Sequence, residues 1–357
     1  MENYLILAIN PGSTSTKIAV YANDKNIFLK NIKHSAEDLQ PFSKIADQFE
    51  FRKNVILKEL EAAGIDINSI KAVVGRGGLV KPIESGVYGV NEALKADLRT
   101  GILGEHASNL GGLIADDIAQ AIGAKAYIAD PVVVDELEPV ARVSGHPLFT
   151  RQSIFHALNQ KAIARMYAKS VGKPYEELNL VIAHLGGGIS VGAHKNGRVV
   201  DVNNALDGEG PFSPERSGTL PAGQLAKLCF SGEYTYDQVK RMINGKGGFV
   251  AHTNTNDAYE LELKAAAGDK QAKDIIDAMA YNVGKAIGAM VAVLKGKVDA
   301  IILTGGIAKS DMVDGYIKDM VGFAAPVVVY GGEDEMAALA MNGLLVLKGE
   351  VSPKEYK

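Results

Sequence analysis

One supersecondary pattern occurs twice in this chain, far apart. "LILAINPGSTSTKIAVYANDKNIFLKN" (5–31) and "LVIAHLGGGISVGAHKNGRVVDVNN" (180–204) each contain an apolar strand, a loop of small residues with glycine, an alternating strand, a turn and another strand. Ala8 and Gly12 stand where Ala183 and Gly187 stand in the second copy. Either segment alone is an ordinary hairpin pattern. A second pair makes the repetition hard to dismiss: "IKAVVGRGGLV" (70–80) matches "VDAIILTGGIA" (298–308) position by position, each a strand ending on Gly-Gly. Long helical patterns precede both, "FSKIADQFEFRKNVILKELEAAG" and "QAKDIIDAMAYNVGKAIGAMVAVLKG". The order strand, loop, hairpin, helix, strand, Gly-Gly therefore predicts two related α/β lobes. Each carries a mixed sheet, antiparallel through the hairpin and parallel through right-handed helical crossovers.

The expected division is a first lobe over 1–140, completed by a C-terminal helix over 336–357, and a second, nucleotide-binding lobe over 141–335. At 357 residues two lobes are also the prior from length. Charges of both signs are interspersed to a net −4, with no basic tract, so neither nucleic acid nor an anionic membrane is an expected partner. Cys229 is the single cysteine, which excludes an intramolecular disulfide framework. No signal-peptide pattern opens the chain and no long unbroken apolar run occurs, so a cytoplasmic protein is expected.

The small-residue loops carry the chemistry. A turn of small residues behind a buried strand exposes backbone N–H groups in a concave arrangement that suits phosphate oxygens. Ser13, Thr14, Ser15 and Thr16 add hydroxyls and Lys17 a charge, while Gly186, Gly187 and Gly188 let the backbone approach a ligand that a Cβ would obstruct. Each loop alone is more simply a turn; two at matching places in a duplicated chain point to a phosphate clamp. No G-x-x-x-x-G-K-[ST] or G-x-G-x-x-G is present, and the seven histidines form no zinc pattern, which disfavours P-loop enzymes, Rossmann dehydrogenases and zinc enzymes.

With those motifs in place the chain resembles the sugar kinase, actin and Hsp70 superfamily, whose members have two duplicated ribonuclease H-like lobes with mixed sheets, flanking helices and an interlobe cleft. "INPGSTSTKIAVY", "FHALNQ", "AHLGGGISV" and "TGGIA" resemble the acetokinase family, where related stretches read N-x-G-S-S-S-x-K, F-H-G-T-S-H and H-L-G-N-G. "GRGGLVKPIESGVY", "ALDGEGPFSPERSGTLP" and "GKGGFVAH" are similar to its butyrate kinases. The similarity runs along nearly the whole chain. It implies ATP or ADP and Mg²⁺ as ligands, with butyrate or a related short-chain fatty acid and its acyl phosphate as partners; a homo-oligomer is expected only as the common default.

The resemblance also implies roles residue by residue. Arg216 matches the family arginine at the reaction centre, and His156 the histidine that stabilises the transferring phosphoryl group. His184 leads the second phosphate loop, and His106 and Asp130 match active-site positions. Asn10 matches the asparagine that contacts Mg²⁺ or phosphate and Glu335 a glutamate associated with Mg²⁺. Gly305 and Gly306 are expected to approach adenosine, as is Asp257 in "TNTNDAYELE", where Tyr259 replaces a family arginine. Arg76 departs from the acetate kinases: a histidine takes its place there, and the arginine falls at Val73. Arg76 is expected to supply the missing guanidinium. Two other readings stay open at this stage, an acetate, propionate or branched-chain acid kinase, and an ATP-driven switch like actin or Hsp70.

Overall fold

The computed structural model describes residues 3–332 and 334–357. β1 (Leu5–Pro11) is buried on both faces, as a central strand of a covered sheet must be. Its chain returns antiparallel as β2 (Ser15–Ala22) and again as β3 (Lys25–Lys33), a mostly exposed edge strand. The lysines on that edge discourage pairing with another chain. The turn between β2 and β3 puts Asn23 at φ +55°, a conformation asparagine tolerates better than most residues. β4 (Ile70–Arg76) then pairs parallel with β1, and β6 (Lys125–Ala129) parallel with β4, while β5 (Val87–Gly89) closes the far edge antiparallel to β6. The first sheet thus reads β3-β2-β1-β4-β6-β5.

The second copy follows the same route. β7 (Asn179–Leu185), β8 (Ile189–Lys195) and β9 (Arg198–Val202) form the hairpins, and β10 (Ala300–Gly305) and β11 (Val327–Gly331) add in parallel, giving β9-β8-β7-β10-β11. Asn196 and Gly197 both have positive φ in the turn between β8 and β9, as a type I′ hairpin requires. The fold is therefore α/β, with two mixed sheets of matching strand order flanked by helices.

Two compact units result, Met1–Val134 with Asp334–Lys357, and Asp135–Glu333. In the first, the helix Glu335–Leu347 packs on β1 and β4, and Gly343 lies so close to the sheet that a Cβ would stand 2.7 Å from Val74. The expectation of a helix running to residue 357 is corrected here. The helix stops at Leu347, because Gly349 takes φ +71° and Pro353 cannot donate to a helical ladder. The tail instead buries Tyr356, whose hydroxyl donates to Asp97 over 2.6 Å.

In the second unit the helix Lys270–Val293 is long and apolar enough by length and composition to cross a membrane. Its Ile276, Met279, Ala280, Val283 and Ile287 recur at helical spacing and are buried in the core beneath β7 and β8. Ion pairs Lys270–Asp274 and Lys273–Asp277 lie along its more exposed side. Amphipathic packing accounts for it.

Candidate active site

In the first unit three of the singled-out residues converge at the ends of β1 and β4. Asn10 Nδ2 donates to Glu335 Oε2 over 2.5 Å, and Arg76 Nη1 donates to the same carboxylate oxygen over 3.2 Å and to Asn10 Oδ1 over 3.3 Å. The ordinary work of an acidic residue at this helix start falls to Asp334, whose side chain accepts from the Ala337 N–H. Glu335 is thereby left to the strand ends. Its side chain and that of Arg76 are 15% and 23% exposed, so the pair is shielded yet reachable.

Gly75 and Gly78 explain why β4 ends in so many glycines. A Cβ on Gly75 would lie 2.2 Å from the Gly111 carbonyl oxygen, and one on Gly78 would strike Asn109. The strand end is pressed against the start of the helix Asn109–Ile122, backbone to backbone, which fixes where Arg76 begins. Asp130 sits just past β6 at φ +38°, almost fully buried, and its Oδ1 accepts from Ser85 Oγ (2.6 Å) and the Gly86 N–H (2.8 Å). His106 is exposed and its Nδ1 is within 2.8 Å of Ser108 Oγ. It lines a small recess with Ile45, Arg99 and Asn109, which none of Asn10, Arg76, Asp130 or Glu335 lines.

The loop between β1 and β2 has a support that sequence reasoning missed. Arg52, on the helix Phe49–Ala62, is completely buried. Its Nη1 donates to the carbonyls of Gly12 (2.8 Å) and Ser15 (3.0 Å) and to Thr16 Oγ1 (3.0 Å), its Nη2 to the Ser13 carbonyl (3.1 Å), and its Nε to Gln48 (2.9 Å). The Thr14 carbonyl is taken by the His34 N–H. These carbonyls are turned inward, the Gly12 N–H is held by the Ser15 carbonyl, and Ser13, Thr14 and Lys17 are exposed on the loop. Burial lowers the Arg52 guanidinium below its usual pKa, and among the described residues it is carbonyl, hydroxyl and amide oxygens, not a carboxylate, that bond it.

In the second unit His156 and His184 stack face to face, ring centroids 3.8 Å apart and 11° from parallel. His156 Nδ1 lies 2.8 Å from Ser190 Oγ, and His184 Nδ1 lies 2.8 Å from Asn159 Oδ1. Arg216 donates to the Ala205 carbonyl, and its guanidinium lies against Gly188, where a Cβ would sit 1.9 Å from Nη1. Gly188 is thus a close-approach glycine toward a side chain of its own unit. Ser213 Oγ holds the Gly187 carbonyl at 2.7 Å, and the Gly186 N–H bonds the Gly188 carbonyl.

Beside that loop opens a cavity of about 930 Å³, lined by Gly186, Gly187, Asp257, Gly306, Tyr259 and Ser310 with an apolar floor that includes Phe249, Ile276 and Met279. The volume suits a nucleotide-sized ligand, and apolar walls with a few polar groups are the usual make-up of such pockets. Gly306 faces open space. Gly305 does not line the cavity: at φ +93° its Cβ position is occupied by the Leu185 backbone, 2.3 Å away, so its glycine serves the contact between β10 and β7. Asp257 caps the helix Ala258–Ala266 by accepting from the Tyr259 and Glu260 N–H groups, and it lines the cavity as well. Glu262, held by Ser310 Oγ at 2.8 Å, is a polar wall residue with no advance signal in the sequence.

Residues 140–321 match the model of the acetokinase family. The chain is 59% identical over 354 residues to butyrate kinase 1 of Clostridium acetobutylicum, covering 99% of this chain and all of that protein, and 57% identical to butyrate kinase 2 of the same organism over 99% of both. A probable butyrate kinase of Bacteroides thetaiotaomicron is 57% identical over 99% of both chains. The acetate kinase of Porphyromonas gingivalis superposes with a TM-score of 0.76, covering 96% of this chain and all of that one at 18% identity, and a propionate kinase of Francisella tularensis with 0.73, covering 95% and 98% at 18% identity. The family model over residues 140–321 and end-to-end similarity at this level lead to one assignment: the chain belongs to the acetokinase family.

Proposed function

We propose that this chain transfers a phosphoryl group between ATP and butanoate, butanoate + ATP ⇌ butanoyl phosphate + ADP, as a butyrate kinase. The observation that carries the reading is the 57–59% identity, over 99% of the chain, to two proteins named butyrate kinases. A simple carboxylic acid has a pKa of about 4.3, so the nucleophile is already ionised and needs no general base. A carboxylate oxygen attacks the γ-phosphorus, the P–O bond to ADP breaks, and ADP leaves with the bonding pair.

The barrier is then anion meeting anion, and the protein's task is to place positive charge and donors around the transferring group. Arg216 and His156 in the second unit and Arg76 in the first supply them in this reading. The nucleotide occupies the 930 Å³ cavity, with its phosphates toward Gly186 and Gly187. Asp130 and His106 keep supporting roles: the first holds the 85–86 turn, the second braces the start of the helix carrying Gly111.

Among the described residues no cluster of three or more His, Cys, Asp or Glu could hold a metal by itself. One carboxylate and one amide oxygen, Glu335 and Asn10, do fit Mg²⁺, which commonly binds through one or two carboxylates plus substrate phosphates and keeps several waters. When bound, the ion supplies charge neutralisation on the polyphosphate.

Trapping with hydroxylamine tests the reading directly. ATP, Mg²⁺ and butanoate are expected to yield butanoyl hydroxamate, and a panel of C2–C6 acids to give the highest kcat/KM at C4. Discrimination between neighbouring chain lengths should stay near tenfold to two-hundredfold per methylene, since each is worth about 1–3 kcal/mol. An optimum at acetate removes the butanoate assignment; nucleotide hydrolysis without carboxylate dependence removes the kinase.

A further inference from the structure

We infer that a buried hydrogen-bond chain, Tyr175–His194–Gln160–Ser190, acts as a positioning device that holds His156 with its proton on Nε2 and a bare Nδ1. The inference rests on His156 being the phosphoryl-facing histidine of the reaction proposed above. All four chain members are 6% exposed or less. Tyr175 Oη lies 2.6 Å from His194 Nδ1, and His194 Nε2 lies 2.9 Å from Gln160 Oε1. Gln160 Nε2 lies 2.9 Å from Ser190 Oγ and 3.1 Å from the Ser190 carbonyl oxygen, and Ser190 Oγ lies 2.8 Å from His156 Nδ1.

The proton positions follow from one backbone group. The Ser190 carbonyl can only accept, so the end of the Gln160 amide that faces it is the NH₂. The other end is then the carbonyl oxygen, which accepts from His194 Nε2–H. Burial holds the His194 pKa well below the usual value, with the Lys161 and Arg165 charges acting in the same direction, so that ring is neutral. Its Nδ1 therefore accepts from the Tyr175 hydroxyl. Ser190 Oγ accepts from Gln160 Nε2 and, over 3.3 Å, from the His156 backbone N–H. Both lone pairs being taken, its single proton goes to His156 Nδ1. A neutral imidazole that accepts at Nδ1 carries its proton at Nε2, and is a donor on the far edge of the ring.

The local sequence is arranged for this. Ser190, Gly192 and His194 alternate along β8 and so share one face. His156 caps the helix Ala157–Ser170, and Gln160 lies one turn in. Gly192 is the spacer: a Cβ there would stand 2.7 Å from Gln160 Oε1. The stretch resembling F-H-G-T-S-H in acetate kinases reads "FHALNQ" here, so Gln160 stands where that motif has its second histidine. An amide has a donor end and an acceptor end, and it transmits a proton orientation without taking up a proton.

The test is ¹⁵N-histidine NMR on the full-length chain, with the His156 signals assigned by their loss in His156→Gln. The wild-type chain is expected to show His156 protonated at Nε2. Gln160→Glu, nearly isosteric, replaces the donor facing Ser190 by an acceptor. Ser190 Oγ–H then turns to the new carboxylate, and the His156 proton should move to Nδ1. In Ser190→Ala both tautomers should appear, with kcat down about tenfold and the KM values for ATP and butanoate within about twofold; imposing the wrong tautomer on a catalytic histidine can cost far more. A wild-type His156 protonated at Nδ1 overturns the inference, as does an unchanged tautomer in both variants. The wild-type spectrum decides even if the variants do not fold. Absence of acyl phosphate from the wild-type enzyme overturns the proposed reaction alone, because the tautomer is read without turnover.

Discussion

The loop after β1 and the loop after β7 occupy the same place in two sheets of matching strand order, yet they are braced by different means. In the first unit a buried cation, Arg52, lies under the loop and gathers the carbonyls of Gly12, Ser13 and Ser15. In the second, among the described residues, no cation is bonded to the carbonyls of Gly186, Gly187 or Gly188 in this way. The 213–216 segment comes over instead, Ser213 Oγ holding the Gly187 carbonyl and Arg216 lying against Gly188. The first design spends a charge on shape, and its outer face is made of hydroxyls. The second sets its arginine against the loop itself, at Gly188. Duplication preserved the backbone path while each copy found its own way to satisfy the polar groups of a tight turn.

The largest effect that could break this contrast is expected at Arg52. A hydrogen bond to a charged group contributes about 1.5–3 kcal/mol, and Arg52→Met removes five at once while leaving several acceptors buried. Because such contributions are not additive, a loss of roughly 4 kcal/mol is expected, read as a lower urea midpoint. Near-wild-type stability would show that the carbonyls find water and that the cation is ornamental.

Next in size is a paired substitution at one glycine of each loop. A Cβ on Gly188 would sit 1.9 Å from Arg216 Nη1, so Gly188→Ala must push the guanidinium aside. In the proposed reaction Arg216 faces the transferring phosphoryl group, and displacing such a donor typically costs about 10²–10³ in kcat, or about 3–4 kcal/mol. At Gly12 a Cβ would meet only Ser15 atoms at 3.6 Å, an ordinary contact. Gly12→Ala should therefore leave kcat within about threefold, by the usual smallness of strain-free changes. Equal effects at the two positions would mean that the loops are braced alike after all.

How much of this was legible in the sequence depends on whether the signal was periodic or spatial. The doubled strand, loop and hairpin pattern was plain, because alternation and glycine placement are local, and both sheets followed it. The convergence of Asn10, Arg76 and Glu335 was suggested only through the resemblance, since Glu335 is 325 residues from Asn10 and nothing in its neighbourhood says which strand it will face. Arg52 was invisible for a physical reason. An arginine in a charged helical stretch, "FRKNVILKEL", is normally solvated, and only the tilt of that helix under the loop turns it inward. The Gly-Gly pair at 305–306 divides in a way no local pattern shows: Gly305, at φ +93°, packs against the Leu185 backbone, and Gly306 alone of that pair lines the cavity.

The same contrast between the units recurs, with a smaller expected effect, in the helices that follow the two Gly-Gly strands. Asp116 in the helix Asn109–Ile122 is bonded by Lys95 Nζ at 2.7 Å and by Gln120. Asp314 in the helix Asp311–Val321 is equally buried, but Lys318 is 3.9 Å away and Asp314 Oδ1 has no hydrogen-bond partner among the described residues. Burial raises the Asp314 pKa from 3.8 to about 6, Lys318 opposing and Asp311 adding to the rise. Between those two values the folded chain holds more protons than the unfolded chain. Stability from this group is therefore present below pH 4 and lost as the pH rises toward 6, then level above it. Asp314→Asn should remove that loss, raising stability at pH 7.5 by on the order of 2 kcal/mol and flattening the difference between variant and parent below pH 4. Urea titrations of both proteins across pH 4–7.5 read this as a gap that opens with pH. A gap that stays constant would mean that Asp314 is solvated as well as Asp116 is paired, and that the two units do not differ in how they handle a buried carboxylate.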